Sequence, residues 1–179
     1  TNNNINATND MSLNAWHHLV AVQDDAKGTI TTYVDGMRGS FATFPVDTTT
    51  DTDLFIGAMN ETQRQFIGKL DDLMIFDCAL DESVIQGFAH EDEKALISED
   101  FSMQVNGYLP EGASLSYEKE ETDGFFAGEG FTLSVKFRRA ADSAAGIIAK
   151  KDAGKGTYGF SLDAGSHLIM HAGDLKYYA

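Results

Sequence analysis

A single cysteine, Cys78, leaves no intrachain disulfide and no multi-cysteine zinc or iron–sulfur site. Only two prolines occur, Pro45 and Pro110, and both lie outside the apolar stretches, as a β-ladder needing its N–H donors requires. Basic residues are scarce: 13 Lys+Arg face 28 Asp+Glu, for a net charge of −15. That balance argues against nucleic-acid phosphates and against insertion into anionic membranes. It suits metal cations, a high-salt medium or solubility. No apolar run approaches the ~20 residues that span a bilayer. There is no signal peptide, and the chain opens on Thr1, not Met, which reads as a processed product or a fragment. No segment repeats within the 179 residues, so any repeat has a period at least about this long.

What is present is globular: 42% hydrophobic against 23% charged residues. Short apolar stretches alternate with Gly, Asn and Asp. Strands are expected at Trp16 to Val22, Thr29 to Val34, Ser40 to Phe44, Leu54 to Gly57 and Phe66 to Phe76, then at Phe101 to Val105, Leu115 to Tyr117, Phe131 to Phe137, Gly146 to Ala149, Tyr158 to Leu162 and His167 to His171. Asp35-Gly36 and Asn106-Gly107 are hairpin-type turn pairs. So many short strands predict an all-β, antiparallel sandwich or jelly roll. In FTLSVKF, Phe131, Leu133, Val135 and Phe137 share the core face, while Thr132, Ser134 and Lys136 face water or a groove.

One short helix is expected after Leu80, with Asp81 accepting from its first free N–H groups and Val84, Ile85 and Phe88 on one side. Cys78, in an apolar stretch, is expected to be a small buried filler. The acidic run Glu91-Asp92-Glu93 opens a joint between two segments.

Five stretches, taken in order, resemble the laminin G-like, concanavalin A-like jelly-roll superfamily. Trp16 to Val22 (WHHLVAV) is similar to its W-H-H-V-A strand, and Gly28 to Gly36 (GTITTYVDG) to the strand and turn that follow. Leu54 to Gly57 resembles L-x-I-G, Gly68 to Phe76 the closing G-x-I-D-D-V-x-I-Y strand, and Ala79 to Ile85 the A-L-S-x-x-E-I turn. In that turn Asp81 replaces the cap Ser and Val84 replaces Glu. The later part resembles the family's opening strands: Leu115-Ser116-Tyr117, Asp123-Gly124-Phe125, Phe131 to Arg138, Gly146 to Lys150 and Tyr158 to Leu162. In the family these precede the W-H-H strand; here they follow the D-D strand.

The chain therefore divides into residues 1–90, similar to the C-terminal half of such a sandwich, a joining segment 91–112, and residues 113–179, similar to the N-terminal half. The later half belongs to the next module of an array, or to the same module in a circular permutant. Strand exchange with another copy is a third arrangement. A cut beside the strand Leu175 to Tyr178 favours two halves that sit apart, each completed by another chain or segment.

The resemblance also sets the chemistry to look for. Related jelly rolls include glycosidases with alternating acids on one strand; here Glu118 and Glu120 could share a face, but no third acid follows at the family's spacing, so no enzyme activity is expected. His17 and His18 are adjacent on a strand and point to opposite faces, so they cannot bind one ion together. His167 and His171 stand ~13 Å apart on a strand. The resemblance implies a structural calcium, and the matching acids are Asp71, Asp72 and Asp123, with Asp71 and Asp72 pointing opposite ways. Each of the three could equally satisfy buried N–H groups in turns. The loop Asp47 to Asp53 lacks the Gly and closing Glu of an EF-hand and reads as exposed. Tyr33, Tyr158, Tyr177 and Tyr178 are candidate sugar platforms, and Asn6 and Asn60 head glycosylation sequons. The expected protein is a non-catalytic, extracellular or cell-surface laminin G-like module for adhesion, assembly or glycan binding. Its partners would be other copies, neighbouring modules or glycans. A structural spacer in a filament or array, and an accessory fragment of a carbohydrate-active enzyme, are the alternatives.

Overall fold

The computed structural model describes residues 11–43, 53–58, 64–87, 97–99, 109, 114–118, 130–141, 145–152, 156–162, 168–173 and 175–178. Among these lie twelve strands and one short helix. The strands are β1 (His17–Asp24), β2 (Thr29–Val34), β3 (Met37–Thr43), β4 (Leu54–Ile56), β5 (Gly68–Phe76), β6 (Ile97–Glu99), β7 (Leu115–Tyr117), β8 (Gly130–Arg139), β9 (Ala145–Asp152), β10 (Gly156–Leu162), β11 (Leu168–Gly173) and β12 (Leu175–Tyr178); the helix is α1 (Glu82–Gln86). Two 6-stranded sheets result, in the orders β3-β2-β1-β8-β5-β6 and β12-β11-β10-β9-β4-β7. Every pairing is antiparallel. The all-β sandwich read from the sequence is what the chain forms.

The two segments do not sit apart within this chain. β8, from the later segment, lies between β1 and β5 of the earlier one, and β4 of the earlier segment lies between β9 and β7. The joining segment is part of the first sheet as well: Ile97–Glu99 pairs with Leu73–Ile75, and Leu109 exchanges two backbone hydrogen bonds with Leu70. The expected strand Phe101 to Val105, the Asn106-Gly107 turn and the Asp47 to Asp53 loop, apart from Asp53 itself, lie outside the described residues.

The core fills the space between the sheets. Leu19 and Ala21 of β1 meet Phe131, Leu133, Val135 and Phe137 of β8, with Leu54 and Ile56 of β4 and Ile147 of β9 from the second sheet. Phe66 meets Phe137 edge-on at 6.1 Å between ring centroids. The expected inward face of β8 is therefore confirmed, but the outward face departs from expectation. Thr132 and Ser134 are buried, and only Lys136 is exposed. The reason is a second apolar layer: Val20, Val22, Tyr33, Phe76, Leu80 and Ile85 pack on the outside of the sheet. The stretch through α1 folds back as a cover, and Thr132 Oγ1 fastens it by donating to the Cys78 carbonyl at 2.8 Å and accepting from Leu80 N–H at 3.0 Å.

Three local expectations need correction. Cys78 is exposed, because β5 ends at Phe76 and the chain bends outward before Leu80 returns to the sheet. Asp81 does stand at the N-cap of α1, but its side chain makes no capping bond; its backbone carbonyl accepts from Val84 and Ile85 N–H. Trp16 precedes β1 and is exposed, because burial begins with His17.

The Asp35-Gly36 turn behaves as its residues require. Both have positive φ, 51° and 76°, and Val34 pairs with Met37 across the two-residue loop. Left-handed backbone at both central positions matches the twist of the flanking strands.

Candidate functional site

Two polar groups of residues sit where β1, β5 and β8 run side by side. The first is built around His17. Its ring packs on Phe137 at 5.9 Å, and its Nδ1 meets Asp35 Oδ2 at 2.8 Å. The other oxygen of Asp35 accepts the His18 backbone N–H at 2.8 Å. With a carboxylate on Nδ1, the ring presents Nε2 to Ser12, whose carbonyl lies at 3.2 Å and hydroxyl at 3.4 Å. The order Ser–His–Asp is that of a hydrolase relay. Here Nε2 faces the backbone of Ser12 more closely than its hydroxyl, so the ring clamps the turn before β1 onto the β2–β3 turn. Arg139 reinforces the clamp: its Nη2 donates to the Met11 carbonyl at 2.6 Å, and its own carbonyl accepts Asn14 N–H at 2.9 Å.

The second group lies on the outer face. His18 Nε2 meets Ser134 Oγ at 2.9 Å, and Lys136 Nζ is ion-paired with Asp72. Burial holds the His18 pKa below its ordinary value; Lys136 adds to the lowering, while Asp35 and Asp72 oppose it. The neutral ring is thus the favoured form on this face.

Asp72 reaches Lys136 through a β-bulge. Asp71 is opposite Lys136, and Met74 is opposite Ser134, so Asp72 and Leu73 together face Val135. Asp72 is the extra residue, with φ 45°, and its N–H is received by Asp71 Oδ1 at 2.9 Å. Strict alternation, which predicts Asp71 and Asp72 on opposite faces, fails at this point. Asp71 is in register with Lys136, and the Asp72 carboxylate is paired with that same lysine.

This placement bears on the expected calcium. Asp72 is committed to an ammonium group, and Asp71 to its neighbour's amide. Asp123 lies outside the described residues, and among those described no three His, Cys, Asp or Glu side chains gather around one point. Of the three acids, Asp71 and Asp72 alone are described, and their carboxylates accept from the Asp72 amide and from Lys136.

The remaining candidates are dispersed. Glu118 is exposed just past β7, and Glu120 lies outside the described residues. Tyr33 is buried under the α1 cover, which raises its pKa, with Glu82 adding to the effect. Tyr158, Tyr177 and Tyr178 fall in β10 and β12, but their side chains lie outside the described part, as do His167, Asn6 and Asn60. Sequence reasoning missed Ser134 and Lys136 as partners of His18 and Asp72. Register, which pairs His18 with Lys136, was the information lacking.

The chain is a two-sheet antiparallel sandwich in which β1 and β5 flank the same central strand, β8. Residues 1–86 match the laminin G model of the concanavalin A-like lectin/glucanases superfamily. No curated protein and no solved structure matches the chain. No helix among the described residues is long and apolar enough to cross a membrane.

Proposed function

We propose that this chain is a non-catalytic laminin G-like module that works outside the cell by binding, in adhesion, assembly or the recognition of glycans. The observation that carries the reading is the match of residues 1–86 to a superfamily of lectins and glucanases, on a chain that folds as that superfamily's sandwich. Of lectin and glucanase, the acids favour the lectin reading. A retaining glucanase holds two carboxyls ~5.5 Å apart on its sheet. Here Glu118 stands exposed just past a three-residue edge strand, and Thr122 occupies the position where strict alternation from Glu118 and Glu120 would need a third acid. A net charge of −15 favours uncharged or cationic ligands.

Two assays on the intact chain test this. Retention of the protein by a glycan array is expected, with no release of reducing ends from the glycans it retains. An array without a single retained glycan would sink the recognition role, and steady release of sugar would sink the non-catalytic one.

A further inference from the structure

A ring nitrogen that carries a proton donates, and one without a proton accepts, so the partners of an imidazole tell which protons it can hold. His17 is buried, and both of its ring nitrogens face oxygen. Nδ1 lies 2.8 Å from Asp35 Oδ2, a carboxylate oxygen that only accepts, so Nδ1 is the nitrogen that keeps its proton. Nε2 has two neighbours, both from Ser12, and they are chemically opposite. The hydroxyl, at 3.4 Å, can donate to a bare Nε2. The carbonyl, at 3.2 Å, only accepts, and so bonds Nε2 only when that nitrogen carries a proton. A bare Nε2 would set its lone pair against those of the carbonyl.

One proton therefore exchanges the atom of Ser12 that the ring holds. The surroundings confine that exchange to Ser12 and Leu13. Arg139 Nη2 donates to the Met11 carbonyl at 2.6 Å, and the Arg139 carbonyl accepts Asn14 N–H at 2.9 Å, so the chain is anchored on both sides of them. Ser12 and Leu13 themselves are exposed. On the other side of the ring, Asp35 is anchored by the His18 N–H at 2.8 Å. Among the described residues, the charged groups bonded at this place are Asp35, from the β2–β3 turn, and Arg139, from β8. Phe137, on which the ring packs, carries no charge. The His18 ring, Lys136 and Asp72 belong to the outer face of the sheet.

We propose that His17 is a proton-operated latch for the turn before β1. With protons on both nitrogens, the ring bridges the Asp35 carboxylate and the Ser12 carbonyl, and ties that turn to the β2–β3 turn. With Nε2 bare, the ring keeps Asp35 but lets go of the carbonyl, and the Ser12 hydroxyl is left as its partner. Imidazole is the side chain whose ordinary titration falls between pH 5 and 8, so mild acid closes the latch and mild base opens it. This goes beyond the binding role proposed above and does not depend on it.

The test is an NMR titration of the isotopically labelled, intact chain from pH 8 to pH 5, with the His17 ring assigned through its bonds to the backbone. At pH 8 the ring is expected to hold its proton on Nδ1 and none on Nε2. As the pH falls, Nε2 should gain its proton, and the Ser12 carbonyl carbon should move downfield with the same midpoint. Ser12→Ala keeps the carbonyl and deletes the hydroxyl, so it strips the partner of the bare Nε2 alone. Both transitions should then move together to higher pH, and because Ser12 is exposed the fold should be kept. A lone proton on Nε2 at pH 8, or a ring that does not titrate in this range, would overturn the proposal. So would a Ser12 carbonyl signal that stays in place while Nε2 titrates, or midpoints left unmoved by Ser12→Ala.

Discussion

Among the described residues, His18 couples stability to pH near neutrality. Its folded pKa lies below the ordinary imidazole value of about 6.5, first through burial and then through Lys136, so between the two values the unfolded chain binds more protons than the folded one. The stability gained from the neutral ring is fully present above pH 6.5 and is lost as pH falls toward the folded value. Thermal melts stepped from pH 8 to pH 5 should show this decline, and His18→Gln, which can still bond Ser134, should flatten it; an identical slope in the variant would dismiss His18 as the source. Asp72 makes the second residue-scale test. Its ion pair with Lys136 is exposed, so Asp72→Asn should cost only about 0–1 kcal/mol. With that carboxylate occupied, chelator and added calcium should both leave the wild-type melt in place. A calcium-dependent rise in melting temperature that disappears in Asp72→Asn would show that calcium displaces the lysine.

At the scale of elements, Gly68 and the α1 cover show what sequence pattern can and cannot convey. Gly68 begins β5 with no room for a side chain: a Cβ there would run into the Arg138 carbonyl and come within 2.7 Å of both Arg139 Cα and the Phe66 ring. Two of these are backbone or close to it and cannot yield. Gly68→Ala should therefore cost about 1–3 kcal/mol or more, read as a lower denaturant midpoint at constant m-value; a midpoint within error of wild type would mean that the strands separate more easily than their register implies. Most strands were legible because alternation and turn residues are local. The core face of β8 was visible in Phe131, Leu133, Val135 and Phe137 for that reason. The burial of Thr132 and Ser134 was not, because a cover supplied from residues 78–85 is a tertiary fact. The clamp was equally hidden: Asp35 lies 18 residues from His17, and only the fold makes them neighbours.

For the whole molecule, the central fact is that β8 is flanked by β1 and β5. The earlier segment alone would leave β1 and β5 without their shared partner, and the later one would carry β8 with no neighbour on either side. Each would expose long unpaired edges. Residues 1–112 and 113–179, produced separately, should each lack cooperative melting, and mixing them should restore a single transition. If either piece melts cooperatively by itself, it holds a domain of its own and the shared sheet is secondary. The family resemblance of the earlier segment was legible from motifs. That the two segments interleave in one chain was not, since two half-motifs look the same whether they complete each other or a neighbour.

The bulge at Asp72 sets a limit on counting along this strand. Leu70 lies inside, and so do Leu73 and Ile75, so even numbers mark the interior before residue 72 and odd numbers after it. Any odd–even reading of GKLDDLMIF must misplace one half of it. Removing residue 72 would merge the two numberings into an unbroken alternation, Leu70 in, Asp71 out, Leu73 in, with every core side chain still on its own side. Position 72 is thus a spare syllable in the strand. Its loss would forfeit the bond to Lys136 and nothing of the inside–outside order, whereas an extra residue anywhere else in β5 would turn part of the core out to water.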